Sequence, residues 1–544
     1  MKKMVGVILL LCIILSLAAC GGEKMDSGNE NKAPANIKTW AFHSFDKTVV
    51  NAAPKGDFKT DYTGYLAKGE TEGCQVAIYS DKEIKNVSLM RKSGETELIK
   101  PVTFSMNKTQ KVVRKQYTDA LIPYFGRKLT VEAKVILPFM IEFTTDENTP
   151  AGDYEYVYEL VDKSKNVLAT YNITVHVWDF ALPKEKTFAT AMGLHWPYVL
   201  YYKGVYEDWY NTLLDHNISA YDLPYDILDG RADAYMSDPR VTSFRLPHPL
   251  NDDGTINEEK LLEYYNKLLT NEVWLKKAFL YPLDEAHTEE QLAELKAWEE
   301  KFGELCPEID IMPTFYTNIQ IGEGRDQTDF MEEFTDLWCP KLCLWDDAES
   351  YGEFLDYTPS KSFHERMNDQ IAKGDRMWTY VCNDPNNPYA QLFLDTDGVV
   401  QRLMFWQIYQ RDIEGFLYAY TCWYRSSGSW KSDGSGMFIC EDPWENGRST
   451  VDGDGNPIYG EGWLLYPGVQ VGYGGACPSI RLKIVRDGID DIEMFYLAEK
   501  YLDKDWIVEK TKEGTPSLTE YVSGDKYVAL RIEIGNALEA AMKK

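Results

Sequence analysis

The pattern of apolar and polar residues changes near residue 186 and divides the chain into two parts. From 37 to 185, short runs alternate apolar and polar residues between turn signals, without a convincing helical period. The longest is GDYEYVYELVDKSKNVLATYNITVHVWDF, in which two alternating runs flank a DKSKN turn. Alternation with a period of two is typical of strands that bury one face. Several such strands predict an antiparallel β-sandwich domain over residues 37–185.

From residue 186 onward, strand-like apolar runs alternate with amphipathic helical runs. AFLYPLDEA, for example, precedes TEEQLAELKAWEEKFGELC, whose apolar residues recur at helical spacing. About eight such β-like runs occur, and most are followed by a helix, which implies parallel strands joined by crossovers. At this length a (β/α)8 TIM barrel fits better than an open sheet, so we predict one over residues 186–502. Residues 503–544 are predicted to be a C-terminal helical segment.

The N-terminus, MKKMVGVILLLCIILSLAACGGEK, has two lysines, an apolar run and then Leu-Ala-Ala-Cys-Gly. The length and flanks of this run indicate a secretory signal rather than a spanning helix. LAACG resembles a bacterial lipobox, so we expect residues 1–20 to be a signal peptide with Cys20 as the lipidated first residue of the mature protein. An ordinary signal peptide with an incidental Cys20 is the alternative. Residues 21–36 are then a flexible tether, and the protein is exported and lipid-anchored to the outer face of the bacterial cell membrane.

Composition narrows the class of partner. The net charge is −29 and the pI about 4.7, which argues against nucleic acid, because binding the phosphate backbone requires a basic surface. Aromatic residues make up 13% of the chain, and aromatic rings suit the apolar C–H faces of sugars, although large cores use them too. No spacing of Cys or His indicates a metal site, so we predict no metal and no cofactor. Most Cys are expected to be small buried residues, with room for one or two disulfides.

One segment resembles a calcium-binding loop but lacks its required glycine. VDGDGNPIYGEG has acids at alternating positions, but Pro457 stands where a calcium loop needs Gly. A hairpin turn is the better prediction for this segment.

The acid pair Asp284 and Glu285 follows the predicted strand AFLYPL and precedes a helix for which Thr288 is a plausible N-cap. In a barrel this junction lies at the rim where chemistry occurs. Neighbours in a regular strand face opposite sides, so both acids reach one pocket only if the backbone leaves β geometry, and Pro282 points to a bulge there. Two carboxyls are the tools of glycoside hydrolysis. The alternative is a helix N-terminus stabilised by acids.

The motif YPLDEAH resembles the Asp–Glu motif of glycoside hydrolase family 123. WLLYPG and PSIRLKIVRDGIDDIEMFYLA are similar to the related domain of unknown function 4091, and GFLYAYTCWYR resembles a late strand of that family. The resemblance implies a retaining β-N-acetylgalactosaminidase that uses the substrate's 2-acetamido group. It implies that Asp284 holds this group and that Glu285 is the general acid/base. Ala286 is a departure, since Pro commonly follows the pair.

Further candidate residues for substrate binding lie at or near the predicted strand ends. They are side chains able to stack on a sugar or hydrogen-bond to it: His195, Trp196, Tyr316, Asn318, Trp345, Trp378, Tyr380 and Trp423. Strand alternation turns about half of such residues outward, so packing is the alternative for each.

The sequence therefore predicts a glycosidase that acts on a glycan or glycoconjugate and touches the membrane through its anchor only. Two alternatives stay open: a conventional glycosidase that pairs Glu285 with Asp346 or Asp347, and a non-catalytic surface glycan-binding lipoprotein. Arg481 and Arg486 in the late helix are predicted to form structural ion pairs with Asp487, Asp490 or Asp491.

Overall fold

The computed structural model describes residues 36–346, 354–424 and 440–543. The predicted signal peptide, the lipidation site Cys20, nearly all of the tether and the alternative acid Asp347 lie outside these ranges. Within them, no helix is both long enough and apolar enough to cross a membrane.

The N-terminal part is built of two five-stranded sheets. Its strands are β1 (Ile37–His43), β2 (Asp61–Lys68), β3 (Thr71–Ser80), β4 (Ile84–Ser93), β5 (Lys100–Ser105), β6 (Gln110–Val112), β7 (Lys115–Tyr117), β8 (Ile122–Pro123), β9 (Leu129–Val131), β10 (Ile136–Thr144), β11 (Gly152–Val161) and β12 (Val167–Ala181). The sheet orders are β1-β3-β10-β5-β8 and β2-β12-β11-β4-β9, and β6 pairs only with β7. Pairs within the two sheets are antiparallel except β2 with β12.

Residues from both sheets share one apolar core, including Val76 of β3 and Tyr156 of β11. In β12, Ile173, Val175 and Val177 are buried at alternate positions, which is why period-two patterning located this strand. The predicted β-rich N-terminal part is confirmed.

The second part alternates strands and helices. Its strands are β13 (Ala189–Met192), β14 (Phe244–Arg245), β15 (Ala278–Leu280), β16 (Asp310–Ile311), β17 (Thr314–Phe315), β18 (Leu337–Pro340), β19 (Arg376–Val381) and β20 (Gly415–Tyr418). Its helices are α1 (Trp196–Tyr201), α2 (Tyr206–Leu214), α3 (Ala232–Met236), α4 (Glu258–Leu268), α5 (Glu272–Lys277), α6 (Glu289–Leu305), α7 (Gln327–Met331), α8 (Phe363–Lys373) and α9 (Gly398–Tyr409), with a 3-10 turn at Leu342–Trp345. All strand pairs here are parallel.

The closed (β/α)8 barrel predicted from the alternation is not what the sheets form. The parallel strands fall into a five-stranded sheet, β13-β20-β19-β18-β17, and a three-stranded sheet, β14-β15-β16. The apolar run IDIMPTFYT is one of the strand-like runs counted in the sequence, but Pro313, which has no amide N–H, divides it into β16 and β17. The segment at Ala220 makes a single parallel bridge to Met192 instead of a strand.

The C-terminal part packs on both others. It contains β21 (Arg448–Val451), β22 (Pro457–Tyr459), β23 (Leu465–Pro467), β24 (Ala476–Pro478), α10 (Ile480–Ala498), α11 (Lys504–Gly514) and α12 (Gly524–Met542), with a 3-10 turn at Gly468–Val471. The predicted hairpin turn is confirmed: β21 pairs with β22, and Asp452 Oδ1 accepts the amide of Asn456 at 2.8 Å. Helix α12 packs against β12, where Trp178 donates to Asn536 at 2.9 Å.

Helix α10 carries most of the charged residues that join these parts. Arg486 pairs with Asp487 at 2.6 Å, as predicted. Arg481 instead pairs with Asp119, a residue of the N-terminal part, at 2.7 Å. Sequence spacing on a helix cannot foresee such a partner, because it lies 362 residues away. The eight Cys in the described residues form no disulfide, and seven of them are buried.

Candidate active site

The acid pair lies where β15 has ended and α6 has not begun. Thr288 caps α6 by accepting the amide of Gln291 at 3.2 Å, as predicted. The sequence predicted a bulge at Pro282, but β15 stops at Leu280 and the chain then runs as a loop. Glu285 has φ +48°, a left-handed conformation that is uncommon for a residue with a Cβ and often marks functional sites. This turn brings both carboxyls to one cleft despite their adjacency.

The cleft has a volume of about 550 Å³, which is enough for a sugar residue. It lies at the carboxyl ends of the parallel strands. Six of the residues proposed from the sequence line it: Asp284, Glu285, His195, Trp196, Tyr380 and Trp423.

Asp284 is exposed to the cleft, and its Oδ1 atom is held by two hydroxyl groups. Tyr281 donates to Oδ1 at 2.6 Å and Thr314 at 3.1 Å. The two hydroxyls are themselves 2.8 Å apart, so they form a connected support for the carboxylate. This arrangement fixes Asp284 in orientation and leaves its second oxygen, Oδ2, for a ligand.

Glu285 is half-buried and has a different environment. Its Oε1 atom accepts a hydrogen bond from the hydroxyl of Tyr380. Burial raises the pKa of Glu285 above its ordinary value, although the Tyr380 hydrogen bond and the charge of Lys341 oppose the rise. Asp284 contributes to the rise by like-charge repulsion. Glu285 is therefore the carboxyl of the pair that is suited to holding a proton.

Lys341 supplies a positive charge that acts on Glu285. Its side chain is buried, its Nζ donates to Asp384 at 2.6 Å, and it lies 4.7 Å from the ring centroid of Tyr316. The pKa of Lys341 is raised: burial lowers it, but the neighbouring Cys382, Asp384 and Glu285 together outweigh that effect. Lys341 thus stays charged beside the acid pair.

Aromatic side chains form one wall of the cleft. The rings of Tyr420 and Trp423 lie 4.2 Å apart between centroids, and His195 lies 5.0 Å from Tyr420. Burial lowers the pKa of His195, which keeps the imidazole neutral, and its Nε2 has no hydrogen-bond partner among the described residues. Trp196 is 61% exposed at the rim. These rings offer a stacking surface to a ligand.

The other four residues proposed for substrate binding do not line the cleft in the part of the chain that the structure describes. Asn318 is fully buried, where it donates to Asp326 at 3.0 Å and accepts from Thr328. Trp345 packs on Phe363 of α8. These roles are structural, which corrects the prediction for both residues.

Trp378 and Tyr316 complete the set. Trp378 points inward like Tyr380 on the same strand, but it lies deeper, in an apolar cluster with Phe279 and against the bare backbone of Gly415. Tyr316 lies beside the cleft, over Lys341.

The structure adds cleft residues that the sequence did not indicate: Tyr281, Thr314, Asp222, Arg245, Tyr420 and Glu461. Tyr281 lies three residues before Asp284, so its closeness to the acid pair in the sequence could have indicated it. Arg245 pairs with Asp222 at 2.9 Å, and both lie at the ends of neighbouring strand segments. Among the described residues, no group of three or more His, Cys, Asp or Glu is arranged to hold a metal ion.

A cleft with paired carboxyls and an aromatic wall, at the carboxyl ends of parallel strands, is typical of enzymes that hydrolyse glycosides. Residues 317–498 match the family model described as glycoside hydrolase 123, catalytic domain. The fold is similar to that of a family 123 glycoside hydrolase from Clostridium perfringens, whose structural analysis concerned glycolipid glycan hydrolysis. That match covers 93% of this chain and 98% of the other, with 13% identity and a TM-score of 0.60. The resemblance to glycoside hydrolase family 123 is therefore confirmed.

Bacteroides uniformis beta-glucuronidase 2 matches over 80% of this chain and 50% of its own, at 10% identity and a TM-score of 0.28. The chain has no significant match among curated proteins. The family match begins after Asp284 and Glu285, so the roles of these two residues depend on the geometry above.

Proposed function

We propose that this protein is a retaining β-N-acetylhexosaminidase, similar to an N-acetylgalactosaminidase, in which the substrate's own 2-acetamido group is the nucleophile. The observation that supports this most is the asymmetry of the acid pair. Asp284 is exposed and fixed by two hydroxyls, whereas Glu285 is half-buried with a raised pKa. A half-buried carboxyl with a raised pKa is suited to donate a proton, and the exposed carboxyl beside it is fixed in an orientation that suits holding a group of the substrate.

In the first step, Glu285 donates its proton to the glycosidic oxygen as the bond to the anomeric carbon breaks. The carbonyl oxygen of the 2-acetamido group attacks that carbon and forms a cyclic oxazolinium. Asp284 accepts a hydrogen bond from the acetamido N–H through Oδ2, which orients the group and stabilises the positive charge that develops. The Tyr281 and Thr314 hydroxyls keep the carboxylate in place during this step.

In the second step, Glu285 is ionised and takes a proton from water as that water attacks the anomeric carbon. The cyclic intermediate opens and the acetamido group is restored. Two inversions at one carbon retain the β configuration. The Tyr380 hydroxyl stabilises the carboxylate form of Glu285 between the two steps.

Kinetics on paired aryl β-glycosides test the proposal. The purified protein should cleave 2-acetamido-2-deoxy glycosides and leave the matching 2-hydroxy glycosides almost untouched. The free sugar should be released as the β anomer before it mutarotates. Equal turnover of both sets contradicts substrate assistance. Comparison of the galacto and gluco acetamido glycosides then identifies the preferred sugar.

The two alternatives give different results. A conventional glycosidase would cleave 2-hydroxy glycosides. Asp346, a candidate for its second acid, accepts a hydrogen bond from Tyr389 at 2.9 Å and does not line the cleft in the described chain. A non-catalytic glycan-binding protein would bind sugars and cleave none. The substrate panel separates the three functions.

We also propose that the protein is an exported lipoprotein anchored through Cys20, on the basis of the LAACG motif. Mass spectrometry of the mature N-terminus should find a lipidated Cys20. A Cys20→Ala variant should leave the membrane fraction, and its retention there would contradict the anchor.

A further inference from the structure

Glu461 is a further carboxyl in the same cleft, in addition to Asp222 and the acid pair, and the preceding steps do not use it. It is only 6% exposed, and burial raises its pKa to about 7. It comes from the loop between β22 and β23, far along the chain from the acid pair. A buried carboxyl that faces a cleft needs a reason, because burying it is costly unless a partner or a ligand compensates.

The loop is shaped to present this one side chain. Gly460 and Gly462 flank Glu461, and both have left-handed backbones, with φ +74° and +71°. A Cβ on Gly462 would lie 3.1 Å from Cβ of Trp423 and 3.2 Å from Cβ of Tyr420. The loop therefore lies directly against the aromatic wall, closer than a residue with a side chain would allow.

Arg481 holds this loop from behind. A Cβ on Gly460 would lie 2.9 Å from the Arg481 guanidinium, which donates to the carbonyl oxygens of Gly460, Trp463 and Leu392. The same guanidinium makes a two-point ion pair with Asp119 of the N-terminal part, at 2.7 and 3.0 Å. Its donors are thus directed to the loop backbone and to Asp119 rather than to Glu461.

Within the described ranges, few groups satisfy Glu461 itself. The charge of Arg481 and the neighbouring hydroxyl of Tyr418 lower the pKa of Glu461 against burial, and the Tyr418 hydroxyl accepts the amide of Gly462 at 3.0 Å. A carboxyl has about four acceptor positions, so most of its capacity is left for the cleft. Burial raises the pKa of Tyr420, which also lines the cleft, and the charges of Glu461, Asp284 and Glu285 add to the rise.

We propose that Glu461 is a specificity-determining residue that accepts hydrogen bonds from free hydroxyl groups of the terminal sugar, on the side of the ring away from the anomeric carbon. The proposal rests on the proposed function, because Glu285 and Asp284 fix where the anomeric carbon and the 2-acetamido group lie. A carboxylate pairs well with one or two sugar hydroxyls, and a buried acceptor left without its partner hydroxyl is strongly unfavourable. The substrate class is a terminal pyranoside whose distal hydroxyls are unsubstituted.

Coupling between variants and deoxy substrates tests this role. The variants are Glu461→Gln, Glu461→Asp and the control Glu445→Gln, an exposed acid in the neighbouring loop. The substrates are one aryl 2-acetamido β-glycoside and its 3-, 4- and 6-deoxy analogues. Glu461→Gln should lower kcat/KM on the parent about 100-fold, and one deoxy analogue should cost wild type a similar factor. On that analogue, kcat/KM of Glu461→Gln should be less than about threefold below that of wild type.

An equal loss on every deoxy analogue, or no loss on the parent, overturns the proposal. The first would be expected if Glu461 were structural or a catalytic carboxyl of a conventional pair. Thermal unfolding checks the fold of each variant. If Glu461→Gln does not fold, the same comparison of substrates is made with Glu461→Asp, which keeps the charge on a shorter side chain. Glu445→Gln should match wild type on all substrates.

The 2-hydroxy glycosides separate this outcome from the proposed function. If wild type cleaves 2-hydroxy and 2-acetamido glycosides equally while the coupling to one deoxy position persists, substrate assistance is wrong and Glu461 keeps its role. If the acetamido preference holds without coupling, only the role of Glu461 is wrong. If wild type cleaves no glycoside and calorimetry detects no binding of N-acetylhexosamines, both are overturned.

Discussion

The hydroxyl of Tyr380 donates a hydrogen bond to Oε1 of Glu285, a residue 95 positions earlier in the chain. It joins the end of β19 to the loop after β15 across the cleft. Through this contact one buried phenol adjusts the protonation of the residue proposed as general acid.

Tyr380→Phe should move the basic limb of the pH profile of kcat/KM to higher pH. The hydrogen bond stabilises the carboxylate and lowers the pKa of Glu285, so its removal lets burial raise that pKa further. The acid must be protonated to act, and it then stays protonated at higher pH. The control is Tyr281→Phe, whose hydroxyl donates to Asp284 instead. A basic limb that moves to lower pH in Tyr380→Phe would contradict the assignment.

Glu285→Gln should lower kcat by about 10²- to 10⁴-fold on glycosides with poor leaving groups. The loss should shrink as the leaving group becomes more acidic, because a good leaving group needs less protonation. Rates for a series of aryl glycosides measure this dependence. The control is Glu289→Gln, an exposed acid in the first turn of α6. A loss that does not vary with the leaving group would remove Glu285 from the role of acid.

Asp284→Asn should lower kcat on 2-acetamido glycosides by about 10²- to 10³-fold, because the amide cannot stabilise the developing positive charge. Tyr281→Phe should cost less, since Thr314 still donates to the carboxylate. Circular dichroism should find both variants folded. Wild-type rates in Asp284→Asn would show that the acetamido group needs no such partner.

Glu142 on β10 predicts an acid-sensitive contact between the N-terminal part and α10. Its carboxyl lies 2.7 Å from Lys483 and 2.8 Å from Arg486. Burial raises the pKa of Glu142, but the two cations outweigh burial and hold the pKa at about 2, against 4.5 for an ordinary Glu. A depressed pKa contributes stability that is complete above the unfolded value and is lost as the pH falls towards the folded one.

Glu142→Gln should therefore lower the free energy of unfolding by about 3 kcal/mol at neutral pH. The difference from wild type should shrink as the pH falls from about 4.5 to about 2, the window between the unfolded and folded pKa values. Chemical denaturation at several pH values measures it. The control is Glu132→Gln, at an exposed position, which should stay within about 0.5 kcal/mol of wild type. A difference that does not change with pH would contradict the account.

The acid pair could be predicted because its signal is local: an apolar strand, two acids and a capped helix follow one another in the sequence. The position of Trp378 could not be predicted from a local signal. Trp378 and Tyr380 share a face of β19, as alternation requires, but only Tyr380 reaches the cleft, while Trp378 fills the space above Gly415. Periodicity identifies the face of a strand and not the depth at which a side chain lies.

Other cleft residues depend on contacts between distant segments. Folding brings Thr314 and Glu461 to the cleft from distant segments. The Asp119–Arg481 pair, which supports the loop of Glu461, forms only when the N-terminal part packs on α10. The closed barrel was overpredicted for a related reason. Alternation counts strand-like runs, but it does not reveal that Pro313 interrupts one of them.

The central claim is that the substrate's acetamido oxygen is the nucleophile. Its most direct test is a series of aryl glycosides whose N-acetyl group carries none, one, two or three fluorine atoms. Fluorine withdraws electrons from the carbonyl oxygen, so the account predicts that kcat falls steeply along the series, by orders of magnitude in total. A kcat that is the same for the acetyl and the trifluoroacetyl substrate would contradict it.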